Sequence, residues 1–538
     1  MKGIILFFLF FTLLQINTII SYRCGTDSIK KKPHKIGDKN IDDKRKLNYY
    51  YRPIKIKVDY TYLISQNILS SKNLEDLKKL FDKTILYISK LFSVIHSKIR
   101  IEKSEIEEYC EIPLYSSDIE TTLYTNDLLI FPVINSDMGD YVLAQAWTCI
   151  ILTSNMRPLV GIVEISDNFS LDKSDTSNYM KFLLLHELSH VLGFHPYYFE
   201  ELNMIYTERK NGITRDYINS TKVMEKAKLH FNCNNLKGVE LENQGEDGSL
   251  GSHWEARYML GDYMISTDYI ENTISDITLA FFEDTGLYKV NYYNGGLFRF
   301  GKNQGCTFLK EDCIRNNATL FPNEFCTEPE GYFCGSSHIS RGDCYVLFYD
   351  YPLNGRFRYY NDKYMGGFEP ADYCPVSFNF YVQELEEQYN YPFNCNHGAG
   401  LYESIGEIIG SNSVCFESSL DPKNLYELDY LISICYQVEC DKTNRQIIVH
   451  IGDSIITCPG KRTLLDNPNG IVGQIQCPNY DIICTSDIWC NDLFDCIDKN
   501  SLADLNTYDY NKRANNGVIN LTLNMFSIIL KMIVIYLF

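Results

Sequence analysis

Residues 182–194 read FLLLHELSHVLGF, and no other stretch restricts the fold as tightly. At about 3.6 residues per turn, His186 and His190 stand one above the other on one helix face, so both imidazoles can reach one ion. Glu187 lies about 100° further round, where its carboxylate can touch a metal-bound water without being a ligand. Leu183, Leu184, Leu188, Val191 and Leu192 make the rest apolar, which reads as a buried helix in the wall of a site. A charge inside such a run is costly unless a metal or a hydrogen bond compensates it. Gly193 supplies the residue that can turn left-handed and end the helix. This is the HExxH zinc pattern; the bland alternative is two core histidines and a glutamate that share a helix by chance.

The N-terminus is of another kind. Residues 1–21 carry Lys2 and a nearly unbroken apolar run, Ile4 to Leu14, which reads as a secretory signal peptide too short for a comfortable membrane span. The chain's 19 cysteines agree with an oxidising compartment, and sequons at Asn168, Asn219 and Asn317 with a glycosylated surface. Residues 22–46 hold nine Lys and Arg against four Asp, a net of +5. Removing that and Lys2 from the overall −19 leaves −25 for residues 47–538. A basic segment on so acidic a body reads as an electrostatically docked propeptide, with Lys44-Arg45-Lys46 as a processing site. A solvated basic linker is the other reading.

Cys24 sharpens the first of these. It is the one cysteine ahead of the basic run, and without it 18 remain, enough for nine bridges. A thiolate is a strong zinc ligand, so Cys24 can fill an open coordination position and hold an enzyme latent. Parity alone does not fix connectivity, and a structural pairing stays open.

From Tyr50 a folded domain begins. Ile54, Ile56 and Val58 alternate with Lys55, Lys57 and Asp59, predicting a strand. Leu74, Leu77, Phe81, Ile85, Ile88, Phe92 and Ile95 recur at three and four, predicting a long amphipathic helix. Strands are expected at 128–134, 141–149 and 159–165, and the motif helix at about 178–194. That order gives an α/β layer in which the HExxH helix backs onto a sheet.

A catalytic zinc needs a third protein ligand. The compact spacing would place it at 196, where Pro196 stands, and His195 is one residue early. A glutamate-liganded site would look to Glu208, which is only near the required register. His253 in GSHWE is the better candidate.

HELSHVLGF, then His253 in GSHWE after a 62-residue insertion, then GDYMIS, resembles leishmanolysin and the invadolysins, which are metzincin zinc proteases. The stretches 141–165, 303–306 and 371–375 extend the resemblance over most of residues 47–500. It implies His253 as third ligand and Met264 as the residue of a Met-turn beneath the zinc. It also implies that Arg23-Cys24 is the propeptide cysteine segment, with Asp27 in register. Here the sequence departs from the pattern: Tyr22 and Thr26 stand where the family usually has histidines. Trp254 and Glu255 are expected to orient His253 or to serve as plain packing.

The reading is therefore α+β: a metzincin-like α/β catalytic domain over 47–300 with an inserted subdomain at 191–252, then a disulfide-rich, mostly β domain over 301–510. One Zn2+ acidifies a water while Glu187 moves the proton, and the strand around Ala144 to Trp147 offers an edge on which an extended peptide adds. Protein or peptide substrates are the expected partners, and nucleic acid is excluded by the acidic body. The apolar run Leu521 to Phe538 fits a lipid-anchor signal, attached near Asn515-Asn516-Gly517, better than a permanent span, although the spacer between them is short. The expected place is outside the cell or on its outer face. Two readings compete: a silent homologue that binds host or matrix proteins, against which the intact Glu187 argues, and a glutamate-liganded aminopeptidase.

Overall fold

The computed structural model describes residues 23–484 except 25, 27–30, 38–50, 139–141, 168–175, 211–212, 244–250, 268, 270, 293–297, 317, 328–330, 379–394, 396–401, 411 and 425–429. The expected signal peptide, the Lys44-Arg45-Lys46 run, Asn168, Asn317, Cys490, Cys496 and the apolar C-terminal run lie outside the described residues. Among the described residues no helix is long and apolar enough to cross a membrane.

The architecture is a mixed α/β one with several sheets. The largest N-terminal sheet contains Arg23–Cys24 (β1), His34–Ile36 (β2), Ile56–Val58 (β3), Leu128–Asn135 (β4), Val142–Leu152 (β5) and Pro158–Ser166 (β6). Its order is β1-β5-β6-β4-β3, with β2 further along the same edge of β5 as β1. β5 is antiparallel to β6, whereas β6, β4 and β3 are parallel. Alternation along β4 explains why the sheet is buried on both faces: Leu128, Ile130 and Ile134 join one apolar core, and Leu129, Phe131 and Val133 a second one behind it.

Two of the helices packed into the first of those cores position the site. Ser71–Leu91 (α1) is capped by Ser70, whose side chain accepts from Asn73 N, and buries Leu77, Leu80, Phe81, Ile88 and Leu91. Thr176–Leu192 (α2) carries the HExxH residues and packs against α1, β5 and β6. A close approach at one glycine brings α2 onto the sheet: a Cβ built on Gly161 of β6 would lie 2.3 Å from Val191 Cγ1. Thr148 Oγ1 on β5 donates to Val191 O at 2.7 Å and fixes the end of α2 over the strand.

One expectation is corrected here. The helical period continues into Phe92 and Ile95, yet α1 stops at Leu91, and Phe92–Ile95 is a strand between Tyr51–Pro53 and Lys289–Val290. Phe92 and Val94 bury the same face of that strand, so this apolar spacing suits either period and the sheet partners decide.

Residues beyond α2 form a three-stranded antiparallel sheet, Val239–Glu240, Ile213–Ile218 and Ile205–Lys210 in that order, with helix Thr221–Phe231. Cys233 bonds to Cys306 and so ties this region to the start of the cysteine-rich part. The C-terminal region carries a six-stranded antiparallel sheet over residues 413–477 with its own core of Val414, Phe416, Ile434, Tyr436, Val449 and Ile475. Among the described residues eight disulfides are formed, Cys110–Cys149 pinning a helix to β5 and the others lying at or beyond Cys233. Cys477 and Cys484 are both in such bridges, with Cys458 and Cys440.

Candidate metal centre and active site

The site is built where α2, the segment 252–264 and the edge of β5 meet. His186 and His190 project from one face of α2, and Gly193 ends the helix with φ at +120°. Phe194 N then reaches back to Ser189 O at 2.9 Å, and the Phe194 carbonyl accepts from His190 Nδ1 at 2.7 Å. His186 Nδ1 donates to the Tyr263 carbonyl at 2.7 Å. With a backbone acceptor at each Nδ1, the proton sits there and each Nε2 presents a lone pair.

Those lone pairs face each other. His186 Nε2 lies 3.0 Å from His190 Nε2 and 3.2 Å from His253 Nε2. Two acceptors at such a distance repel unless something positive lies among them. Cys24 Sγ is 3.5 Å from His190 Nε2, and the donor atoms of Cys24, His186, His190 and His253 all lie within 4.8 Å of one another. All four are buried, and Cys24 takes part in none of the eight disulfides. Burial holds the His186 imidazole neutral, its pKa down to about 4, and burial beside two other imidazoles holds His190 well below its ordinary value. Three imidazoles and a thiol make a nitrogen and sulfur donor set that fits a borderline-soft divalent cation.

Glu187, fully buried, stands beside this cluster. Its Oε2 accepts from Thr26 Oγ1 at 3.3 Å, and the same hydroxyl meets both backbone groups of Ala146 on β5. Residues 23–24 and 34–36 lie along that edge in parallel register, Cys24 opposite Ala144 and His34 to Ile36 opposite Ile150 to Leu152. Lys31 reaches Glu111 at 2.7 Å and lies over the Trp147 ring, Lys35 reaches Glu201 at 3.0 Å, and His34 stacks on Tyr109. The ion pairs are solvent-exposed and screened, so they contribute little to the docking. The strand pairing and the burial of Ile36 carry more of the docking.

The remaining candidates have defined places. Met264 is fully buried in a turn shaped by Asp262, whose carboxylate accepts from Met264 N at 2.8 Å, Thr278 Oγ1 at 2.7 Å and Ser275 N at 3.2 Å. Burial pushes the Asp262 carboxyl up to about 6, against those three hydrogen bonds. Trp254 is core: its ring packs edge-on against Phe194 and its Nε1 donates to Thr278 Oγ1 at 2.8 Å. Glu255 caps the short helix Ala256–Met259 and accepts from Asn243, while Ser252 Oγ lies 3.3 Å from His253 Nδ1. His195 caps the helix after α2, with Nδ1 accepting from Tyr197 N, and Glu208 pairs with Lys237 on the surface. Neither joins the cluster. Sequence reasoning missed Ser252, the Tyr263 and Phe194 carbonyls and the contacts of Thr26. Backbone acceptors leave no mark in a sequence, but a hydroxyl two residues after Cys24 was visible.

The leishmanolysin family profile matches residues 89–490. The chain belongs to the leishmanolysin family. It is 27% identical to a leishmanolysin homolog of Crithidia fasciculata over 444 residues, covering 80% of this chain and 66% of that protein. Leishmanolysin of Leishmania tropica is 28% identical over 383 residues, 68% of this chain and 56% of the relative. A leishmanolysin-like peptidase of Caenorhabditis briggsae is 32% identical over 303 residues, 49% and 45% of the two chains. The chain thus spans about half to two-thirds of the length of these relatives. Members of the leishmanolysin family are metalloproteases, and the matched span contains His186, Glu187, His190, His253 and Met264.

Proposed function

We propose that this protein is a zinc-dependent endopeptidase of metzincin type, made as a latent precursor and acting on protein or peptide substrates outside the cell or on its outer face. The observation that carries the reading is the convergence of three Nε2 atoms, from two turns of α2 and a segment 67 residues from His186, beside a buried carboxylate. His186, His190 and His253 would hold the zinc, with Cys24 as a fourth donor in the latent form. Bound there, zinc supplies acidification of a water and polarisation of the scissile carbonyl.

The chain's own residues do the rest. Glu187 takes the proton from the attacking water and returns it to the leaving amine, a role that suits a carboxylate beside the ligands. The Tyr263 and Phe194 carbonyls keep His186 and His190 in one tautomer. Asp262 shapes the turn under the site, with Met264 as its apolar floor. β5 offers a backbone edge, and a peptide adding there as a strand places an internal bond, not a terminus, at the site. Residues 23–24 and 34–36 occupy that edge, so they must leave before a substrate can pair with it.

In domain terms the proposal keeps a signal peptide at 1–21, a basic propeptide at 22–46, a catalytic domain at 47–300 with the insertion 191–252, a cysteine-rich domain at 301–510 and a tail at 511–538 that signals a lipid anchor. Zinc content and casein cleavage of two variants test the function. His253→Ala should lose both, and Glu187→Ala should keep zinc and lose cleavage. Zinc retained by His253→Ala would transfer the site to other ligands, and hydrolysis unchanged in Glu187→Ala would remove that residue from the mechanism.

A further inference from the structure

Thr26 is fully buried, and its hydroxyl lies at the centre of four contacts. Ala146 N donates to Oγ1 at 3.1 Å, Ala146 O and Glu187 Oε2 each lie 3.3 Å from it, and Cys24 Sγ is 3.1 Å away. Thr26 N in turn donates to Cys24 Sγ at 3.4 Å. A hydroxyl has one proton to give and two lone pairs to receive with. One lone pair takes the Ala146 N–H, and the proton goes towards the Glu187 carboxylate or the Ala146 carbonyl.

These partners are the groups that peptide hydrolysis on this edge would use. Ala146 N–H and C=O are pairing positions for an added strand, and Glu187 is the proposed base. We propose that Thr26 is a second, positioning half of the latch: its hydroxyl closes the Ala146 edge and ties Glu187, while its N–H supports the Cys24 sulfur. This rests on the reading of Cys24 as the latency donor and adds a requirement for a hydroxyl at position 26. The neighbouring thiol cannot supply these contacts, since its sulfur already faces His190. Threonine is short enough to sit between β5 and α2 without displacing either.

The test uses the full-length zinc-loaded precursor and its Thr26→Val, Thr26→Ser and Cys24→Ala variants. Iodoacetamide modification of Cys24, followed by mass spectrometry of its peptide, reports how often the latch opens, independently of catalysis. Casein cleavage before processing is the second reading. Valine keeps the shape and removes the hydroxyl, so Thr26→Val should be alkylated roughly tenfold faster or more, as expected for lost hydrogen bonds to a charged group, and should cleave casein unprocessed. Thr26→Ser should stay within about twofold of the parent, because its hydroxyl makes the same contacts. Parental alkylation rates in Thr26→Val, or a Thr26→Ser rate as high as that of Thr26→Val, would overturn the role of the hydroxyl. If Cys24→Ala is active while Thr26→Val remains closed, only this inference falls. A Cys24→Ala precursor as inactive as the parent, yet active after processing, would sink the underlying latency reading instead.

Discussion

His186 Nε2 and His253 Nε2 stand 3.2 Å apart although 67 residues separate them in the chain. Neither imidazole is free to turn away: the first is held by the Tyr263 carbonyl, and the second is fully buried next to Ser252. Removing His253 should therefore cost metal affinity more than the roughly 10–100-fold typical of an outer-sphere partner. His195→Ala should leave it unchanged, since His195 caps the next helix. Competition with a zinc chelator measures both, and equal losses in the two variants would contradict the assignment.

The contact between Gly161 and Val191 sets how closely α2 lies on the sheet. Gly161→Ala would put a methyl 2.3 Å from Val191 Cγ1, so the helix or the valine must shift. Overpacking of this kind costs about 1–3 kcal/mol. Adding Val191→Ala should recover part of that loss, because the two changes share one space. Denaturant melts of the two single variants and the double variant check it, and simple additivity would show that the contact is not what limits the approach.

Glu324 gives the fold a pH dependence with a definite sign. Burial pushes its carboxyl from the ordinary 4.5 up to about 8, although Gln304 Nε2 donates to it at 3.0 Å. A raised folded pKa means that the folded state binds the proton more tightly. Its contribution is complete below about 4.5 and is lost as pH rises through about 8. Glu324→Gln, neutral at every pH, should thus gain over the parent between pH 6 and 9, by about 1–4 kcal/mol on a scale of 1.36 kcal/mol per pKa unit. Thermal melts across that range decide it, and parallel curves for the two proteins would mean that Glu324 titrates normally.

Docking of residues 31–36 combines a strand pairing with exposed ion pairs, Lys31–Glu111 and Lys35–Glu201. A synthetic peptide of residues 22–46 should inhibit the processed enzyme in trans. Raising salt from 0.05 to 0.5 M, which shortens the Debye length roughly threefold, should weaken it only several-fold. Inhibition constants at the two salt levels measure this. Loss of inhibition by orders of magnitude would mean that charge, not strand pairing, holds the segment.

Local sequence carried the part of the site that lies on one helix. The i, i+4 spacing of His186 and His190, Glu187 between them and Gly193 after them specify a helix, a shared face and its end, and all are found so. The strands of the sheet were legible too, within one to three residues at their ends, because burial on both faces leaves near-continuous apolar runs. Where two periods fit the same residues, as at Phe92 and Ile95, pattern alone chose wrongly and the strands at Tyr51–Pro53 and Lys289–Val290 decided.

The sequence by itself determined the chemistry available: two imidazoles and a carboxylate on one helix, a thiol ahead of a basic run, and a remote histidine in GSHWE whose role the family resemblance implied. Tertiary structure decided which of these meet. Bringing His253 and Cys24 to α2 depends on loop paths and on pairing with the edge of β5, and no residue spacing encodes those distances. The groups that orient the site are backbone carbonyls at Tyr263 and Phe194 and the hydroxyl of Thr26. Every residue has a carbonyl, so only the folded chain can show which one lies at hydrogen-bonding distance.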